Sequence, residues 1–246
     1  MIAVLFALPE ESQDLVRALK HRARVGSAEL AAVRGTLGAH EIVVAHTGVG
    51  RKRADAGMRR LWAEHHPDQV ISAGFAGGLD PRLPKGALLL ADSFSSPELL
   101  YTAQSLLKER ASSGMMATCD DVLETPQAKT EFARQSGAEA VDMETAAVAA
   151  FCMETGVPLL AIRAISDTAS DELPVPFSVW FDEASQRPRP LALVWFLVRH
   201  PSRIPRFVRF VQTINRARRI LTGALLELLS GLQEASSTEL SISDKL

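Results

Sequence analysis

The run Leu159-Leu160-Ala161-Ile162-Arg163-Ala164-Ile165-Ser166-Asp167 is apolar at all but one position until it closes on a hydroxyl and a carboxylate. A strand without polar alternate positions is one covered on both faces, as in a parallel sheet between two layers of helices. Just upstream, Thr145–Thr155 is an alanine-rich helical segment that Gly156-Val157-Pro158 stops. The same pairing of strand and helix recurs toward the N-terminus. Ile2–Ala7 precedes a helix over Glu10–Lys20, Gln69–Ala73 runs into Gly74-Phe75-Ala76-Gly77-Gly78, and Ala87–Phe94 precedes a helix over Pro97–Arg110. Glu29–Gly35 and Glu41–His46 flank Thr36-Leu37-Gly38-Ala39 as a hairpin, and Gly48-Val49-Gly50 opens a helix that reaches His65. Met115–Cys119 and Ala138–Met143 are short strands on either side of a helix over Gln127–Gln135. This alternation predicts an α/β fold, a mixed, mostly parallel twisted sheet flanked by helices on both faces.

Ligands of such sheets bind beyond the carboxyl ends of the strands. That rule selects Glu10 and Glu11, Thr47–Gly50, Gly74–Gly78, Met143 and Glu144, and Ser166 and Asp167, each directly after a predicted strand. Taken singly, each has a plain structural reading: a strand-end carboxylate caps a helix, and clustered glycines permit a tight turn. Taken together they bring carboxylates to one rim, which suits rupture of an N-glycosidic bond. There the sugar carbon becomes oxocarbenium-like while negative charge builds on the departing base. Asp167 would protonate a purine ring nitrogen with Ser166 orienting it, Glu11 would hold or activate a water, and Glu144 would accept hydrogen bonds from ribose hydroxyls.

The segments Ala7-Leu8-Pro9-Glu10-Glu11, Thr47-Gly48-Val49-Gly50, Gly74-Phe75-Ala76-Gly77-Gly78-Leu79, Val141-Asp142-Met143-Glu144-Thr145-Ala146 and Arg163-Ala164-Ile165-Ser166-Asp167 carry a specific likeness. In order and spacing they resemble the purine nucleoside phosphorylase and methylthioadenosine/S-adenosylhomocysteine nucleosidase superfamily over residues 1–180, with Met143-Glu144 and Arg163–Asp167 the most discriminating part. The resemblance implies that Asp167 is the proton donor to the purine, Ser166 its orienting neighbour, and Met143 with Glu144 the ribose-binding pair. It implies that Glu11 lies by the nucleophilic water with Arg163 close to both, and that Ala76 and Gly77 bind substrate. Leu123 matches the place where backbone groups bond the base, and Val122 the place where similar proteins carry a stacking aromatic, absent here. Leu8, Val49 and Phe177 match the apolar pocket for the 5′ substituent. A homodimer is implied, with no metal and no cofactor, phosphate being a co-substrate only in a phosphorylase.

The nucleophile can be weighed from the same positions. Ser72 and Leu8-Pro9-Glu10 stand where phosphorylases of the superfamily carry an arginine and a glycine-aspartate-proline loop, so a phosphate would face Glu10 and Glu11 without that arginine. Water is therefore favoured, although Phe75 replaces the usual serine or threonine of nucleosidases, and Arg51, Lys52 and Arg53 remain beside Gly48 and Gly50 for an anion. The alternatives are a phosphate-dependent phosphorylase and a non-catalytic, membrane-associated nucleoside-binding protein. Gly74–Pro81 and Arg199–Pro205 also resemble the hopanoid-biosynthesis-associated phosphorylase branch, implicated in removing adenine from adenosylhopane. The stretch between Phe94 and Met115 is shorter than in methylthioadenosine nucleosidases, which would leave the pocket open to a long 5′ group.

At 246 residues and 47% hydrophobic content the chain can bury an enzyme-sized core. Cys119 and Cys152 suggest neither a disulfide framework nor a zinc site, and Met1–Ala7 reads as a strand rather than a leader, so a cytoplasmic protein is expected. The net charge of −2 hides an asymmetry: from Ala184 to Leu226 there is no acidic residue, yet there are arginines at 187, 189, 199, 203, 206, 209, 216, 218 and 219. Leu191–Val198 is far shorter than the roughly 20 residues that cross a bilayer. Apolar residues interspersed among the arginines across 187–221 fit an interfacial helix on an anionic membrane, or a basic helix packed on the protein or a second subunit. Nucleic acid is not expected as a partner, since no recognised motif accompanies the arginines. Glu64-His65-His66 lacks zinc-ligand spacing, and Gly48–Lys52 lacks the full P-loop pattern. The expected organisation is a nucleosidase-like α/β domain over 1–183, a basic amphipathic helical extension over 184–230, and a polar, disordered tail over 231–246.

Overall fold

The computed structural model describes residues 1–27 and 30–243, with side chains through residue 232. The chain opens with β1 (Ile2–Phe6), α1 (Pro9–Ala18), β2 (Lys20–Val25), β3 (Ala31–Leu37) and β4 (His40–His46). Next come α2 (Arg51–His65), β5 (Gln69–Gly78), β6 (Leu88–Ala91) and α3 (Pro97–Leu107). They are followed by β7 (Ala111–Gly114), β8 (Met116–Thr118), α4 (Pro126–Ser136), β9 (Ala140–Asp142), α5 (Thr145–Thr155) and β10 (Leu159–Asp167). The last section holds the short α6 (Phe177–Trp180), a ribbon of β11 (Phe181–Asp182) and β12 (Arg187–Pro188), then α7 (Pro190–Arg199) and α8 (Ile204–Ser243).

Ten strands form one mixed sheet in the order β2-β3-β4-β1-β5-β10-β6-β7, with β8 and β9 joined to it through β5. The central strands β4, β1, β5 and β10 run parallel. Alternation along β1 shows how both faces are covered. Ile2, Val4 and Phe6 pack with Leu15 of α1, Leu99 and Leu107 of α3 and Leu221 and Leu225 of α8. Ala3 and Leu5 point the other way, onto Ala54, Met58 and Leu61 of α2 and Val148 and Phe151 of α5. The expected fold, a mixed α/β sheet between helical layers with a helical C-terminus, is the fold observed.

Three elements differ from the expectation. The first helix stops at Ala18, and Lys20–Val25 pairs antiparallel with β3 as an edge strand. The stretch Ala111–Gly114, given no structure from the sequence, pairs with β6. Glu29, expected to begin the hairpin, lies outside the described residues. The third difference is the C-terminus. α8 runs on through Gly231 to Ser243, where composition suggested a polar tail; residues 244–246 lie outside the described residues. Its second half is no appendage, because Ala217, Leu221, Ala224, Leu225, Leu228, Leu229 and Leu232 sit in the core shared with β1 and β10. Among the described residues no helix is long and apolar enough to cross a membrane.

Candidate active site

The site begins as a fork in the sheet. β10 lines one edge of β5 from Val70 to Gly77. On the other edge β1 pairs only as far as Ser72, and β9 takes over at Gly77 and Gly78. Between the two, the backbone of β5 from Ala73 to Ala76 has no neighbouring strand on that edge, and its polar groups need other partners. Glu11, in the first turn of α1, supplies one: its carboxylate accepts from the Phe75 amide at 3.1 Å and from the Leu8 amide at 2.9 Å. Gly74 permits this approach, since a Cβ there would stand 3.0 Å from Glu11 Oε1.

Asp167 closes β10 on the same rim. Ser166 Oγ donates to Asp167 Oδ1 at 2.5 Å, and Lys129 of α4 forms an ion pair with Oδ2. The lysine is itself buried and also donates to the carbonyls of Thr168 at 2.8 Å and Asp171 at 3.1 Å. Sequence reasoning missed Lys129. It places the residue on a helix, but nothing local says that this helix lies over the end of β10.

Glu144, just ahead of α5, accepts from the Gly50 amide at 2.8 Å. Burial, followed by the neighbouring Asp142 charge, pushes its carboxyl up to about 8. Burial likewise pushes Glu11 up, opposed by the Leu8 amide and by the charge of Arg163. Arg163 forms no hydrogen bond with Glu11. It bonds Asp142 Oδ2 at 2.8 Å, Thr145 Oγ1 at 2.6 Å, Ser72 Oγ at 2.9 Å and the Ser72 carbonyl at 2.7 Å. Asp142, passed over in the sequence, thus holds the arginine. Arg51, considered for an anion, is committed to Asp120 at 2.8 Å and to the Thr118 carbonyl at 2.7 Å.

A group that keeps its proton in the folded protein but loses it in the unfolded chain destabilises the fold as pH rises through the window between its two pKa values. For Glu144 that window runs from the ordinary 4.5 to about 8. Stability is therefore expected to fall across it, and Glu144→Gln to flatten the decline. Urea unfolding of both proteins at several pH values checks this; parallel profiles would mean that Glu144 is ionised throughout.

A cavity of about 210 Å³ joins these groups. Its wall contains Glu11 and Glu144, Asp167 with Ser166, and also Met143, Ala76, Gly77, Val122, Leu123, Leu8, Val49 and Phe177. Of the residues given a catalytic or substrate-binding role from the sequence, Arg163 alone lies off this wall, behind an adjoining recess of about 10 Å³ that it shares with Glu11, Ser72, Phe75 and Glu144; of the strand-end positions, Glu10, Thr47, Gly48, Gly50, Gly74 and Gly78 also lie off it. No aromatic stands at Val122. The aromatic lining comes instead from Phe75 of β5, from Phe177 and Trp180 of α6, whose rings meet edge to face at 4.8 Å, and from Phe210 of α8, with Ile214 beside it. Gln186 also went unnoticed; its side chain accepts from the Val49 amide at 2.7 Å and so braces the loop before α2. Among the described residues no group of three or more His, Cys, Asp or Glu side chains converges to hold a metal.

The family model of the phosphorylase superfamily matches residues 1–104 and 93–189. The chain belongs to this superfamily. A 5′-methylthioadenosine/S-adenosylhomocysteine nucleosidase of Geobacillus thermodenitrificans is 30% identical over 222 residues, covering 78% of this chain and 94% of the relative. The corresponding nucleosidase of Shewanella oneidensis is 26% identical, covering 74% and 90%. Among solved structures, the nucleosidase of S. pneumoniae with a transition-state inhibitor superposes with a TM-score of 0.73 at 22% identity, covering 94% of this chain and 99% of the other. Futalosine hydrolase of Helicobacter pylori gives 0.72 at 18% identity, covering 93% and 98%. At such identities the superpositions establish the superfamily fold alone.

Proposed function

We propose that this phosphorylase-superfamily chain is a nucleosidase that releases adenine from a 5′-substituted nucleoside by hydrolysis. The reading rests on one observation: Asp167 with Ser166, and Glu144 with Glu11, face the same cavity. The purine lies toward Asp167, between Ala76, Gly77, Val122 and Leu123; the ribose diol lies on Met143 and Glu144; the 5′ group lies against Leu8, Val49 and Phe177. Protonation of the base draws on the proton held in the Lys129–Asp167 contact, while Ser166 fixes the other carboxylate oxygen. Glu11 activates the water, and Arg163 positions the surrounding wall through Asp142 and acts on Glu11 by its charge.

The size of the recess favours water as nucleophile. A polar cavity needs about 10–15 Å³ to hold one water, and the recess beside Glu11 and Arg163 has about 10 Å³. A phosphate is several times larger and would meet two carboxyl groups, with the one nearby guanidinium already bonded to Asp142, Thr145 and Ser72. The reaction then needs no cofactor. Trp180, Phe210 and Ile214 extend the apolar wall, which favours a large apolar 5′ substituent such as that of a lipid-linked adenosyl compound like adenosylhopane. The superfamily resemblance adds a homodimer, for which the exposed Tyr101 on α3 and Met153 on α5 offer apolar contact.

Chromatography of products from 5′-methylthioadenosine, S-adenosylhomocysteine, inosine and adenosylhopane tests the reading. Adenine release from the three adenine nucleosides is expected at the same rate with and without phosphate, inosine, whose base is hypoxanthine, serving as the control for the base. A rate that depends on phosphate, with ribose 1-phosphate derivatives as products, would assign a phosphorylase instead.

A further inference from the structure

We infer that the outward faces of α7 and of the first half of α8 form a docking surface for an anionic lipid bilayer. Leu191, Val194, Trp195 and Val198 recur at the spacing of one helical face, and that face points to solvent, with exposures of 84%, 57%, 58% and 71%. A surface helix normally turns such a stripe inward. On α8, Ile204, Val208 and Val211 continue the pattern at 41%, 48% and 40% exposure. Apolar side chains exposed at helical spacing on two consecutive helices are more than scattered exceptions.

Charge identifies what covers the patch. Arg187, Arg189 and Arg199, on or just before α7, are exposed and form no ion pair with a carboxylate among the described residues; the charge of Arg189 acts on Asp182, and Arg206 and Arg209 line a recess that also holds Asp171 and Glu172. From Ala184 to Leu226 no acidic residue offsets them. The Arg199 guanidinium lies 3.5 Å over the Trp195 ring, so a cation and an amphipathic aromatic share one spot in the stripe. A bilayer with anionic headgroups accepts both features at once, apolar side chains at the acyl boundary and arginines among the phosphates. A second copy meeting this face symmetrically would set arginines against arginines. A nucleic acid would leave the apolar stripe against a phosphate backbone. Since α7 spans only Pro190–Arg199, it lies along the surface rather than across it.

The inference stands whether or not the reaction proposed above is the right one, and its test needs no turnover. The full chain is sedimented with vesicles of phosphatidylcholine carrying phosphatidylglycerol, and with phosphatidylcholine alone, at low and high salt. Binding is expected to the anionic vesicles only and to weaken with salt. Trp195→Glu with Val198→Glu, both on the outward face, is expected to lower partitioning at least tenfold with the far-ultraviolet circular dichroism unchanged. Arg199→Glu should lower it too, since each surface arginine contributes roughly fivefold. Absence of binding to anionic vesicles overturns the inference, as does undiminished binding by the Trp195→Glu, Val198→Glu protein. So would self-association abolished by those substitutions in a protein that ignores vesicles, or tighter binding to duplex DNA than to vesicles.

Discussion

Asp167→Asn is expected to lower adenine release by about 10²–10⁴-fold, the usual contribution of a positioned general acid, while nucleoside binding changes by no more than a few-fold. The argument is geometric. Asp167 ends β10 with one oxygen fixed by Ser166 and the other by Lys129, so the carboxyl cannot turn away from the cavity without losing both partners. An asparagine of the same shape keeps the wall but has no proton to pass on. Steady-state and binding measurements on the same preparation separate the effects. A variant that keeps more than a tenth of wild-type kcat would remove Asp167 from the chemistry; one that loses binding in step with kcat would make it a structural residue.

Glu11→Gln is expected to have the second large effect, about 10²-fold or more on kcat, because the amide cannot take a proton from the attacking water. A smaller cost in binding should accompany it. Glu11 accepts from two backbone amides, Leu8 and Phe75, one on each carboxylate oxygen, and glutamine offers one acceptor oxygen, so one of the two amides is left without a partner. The pH dependence gives an independent readout. Burial raises the Glu11 carboxyl, so the base form, and with it the rate, should rise with pH above the ordinary carboxylate range. Glu11→Gln should lose that limb, and an unchanged acid limb in the variant would assign it to another group.

The parts of the fold legible in the sequence are those whose pattern is fixed by burial on both sides. β10 reads from its continuous apolar run, and α5 reads to the residue at both ends because Gly156-Val157-Pro158 stops it. β2 was illegible for the opposite reason. As an exposed edge strand, Lys20-His21-Arg22-Ala23-Arg24-Val25 carries charges that deter pairing with other chains and leave no alternation to detect. β7, Ala-Ser-Ser-Gly, has no strand preference of its own and pairs because β6 lies beside it. The serine-rich end of α8 reads as coil, but the turns before it bury Leu225, Leu228, Leu229 and Leu232, and the helix they anchor runs on to Ser243.

The site divides in the same way. Residues that follow strand ends can be picked from the chain by the rule that ligands bind there, and Glu11, Glu144 and Asp167 come to one cavity. Lys129, Trp180 and Phe210 reach it, and Gln186 reaches the Val49 backbone beside it, only because α4, α6, α8 and the ribbon before α7 fold over the rim, and no local pattern encodes that. Arg163 shows the limit from the other side. Its position is legible, but its guanidinium is held by Asp142, Thr145 and Ser72 rather than by Glu11, a choice made by three-dimensional packing.

The most direct test is the structure of the Asp167→Asn protein with an intact 5′-substituted adenine nucleoside bound. It should place a purine ring nitrogen against the side chain at 167 and the ribose diol against Glu144. A nucleoside seated outside this cavity, or turned so that its ribose lies at the α4 end, would contradict the assignment.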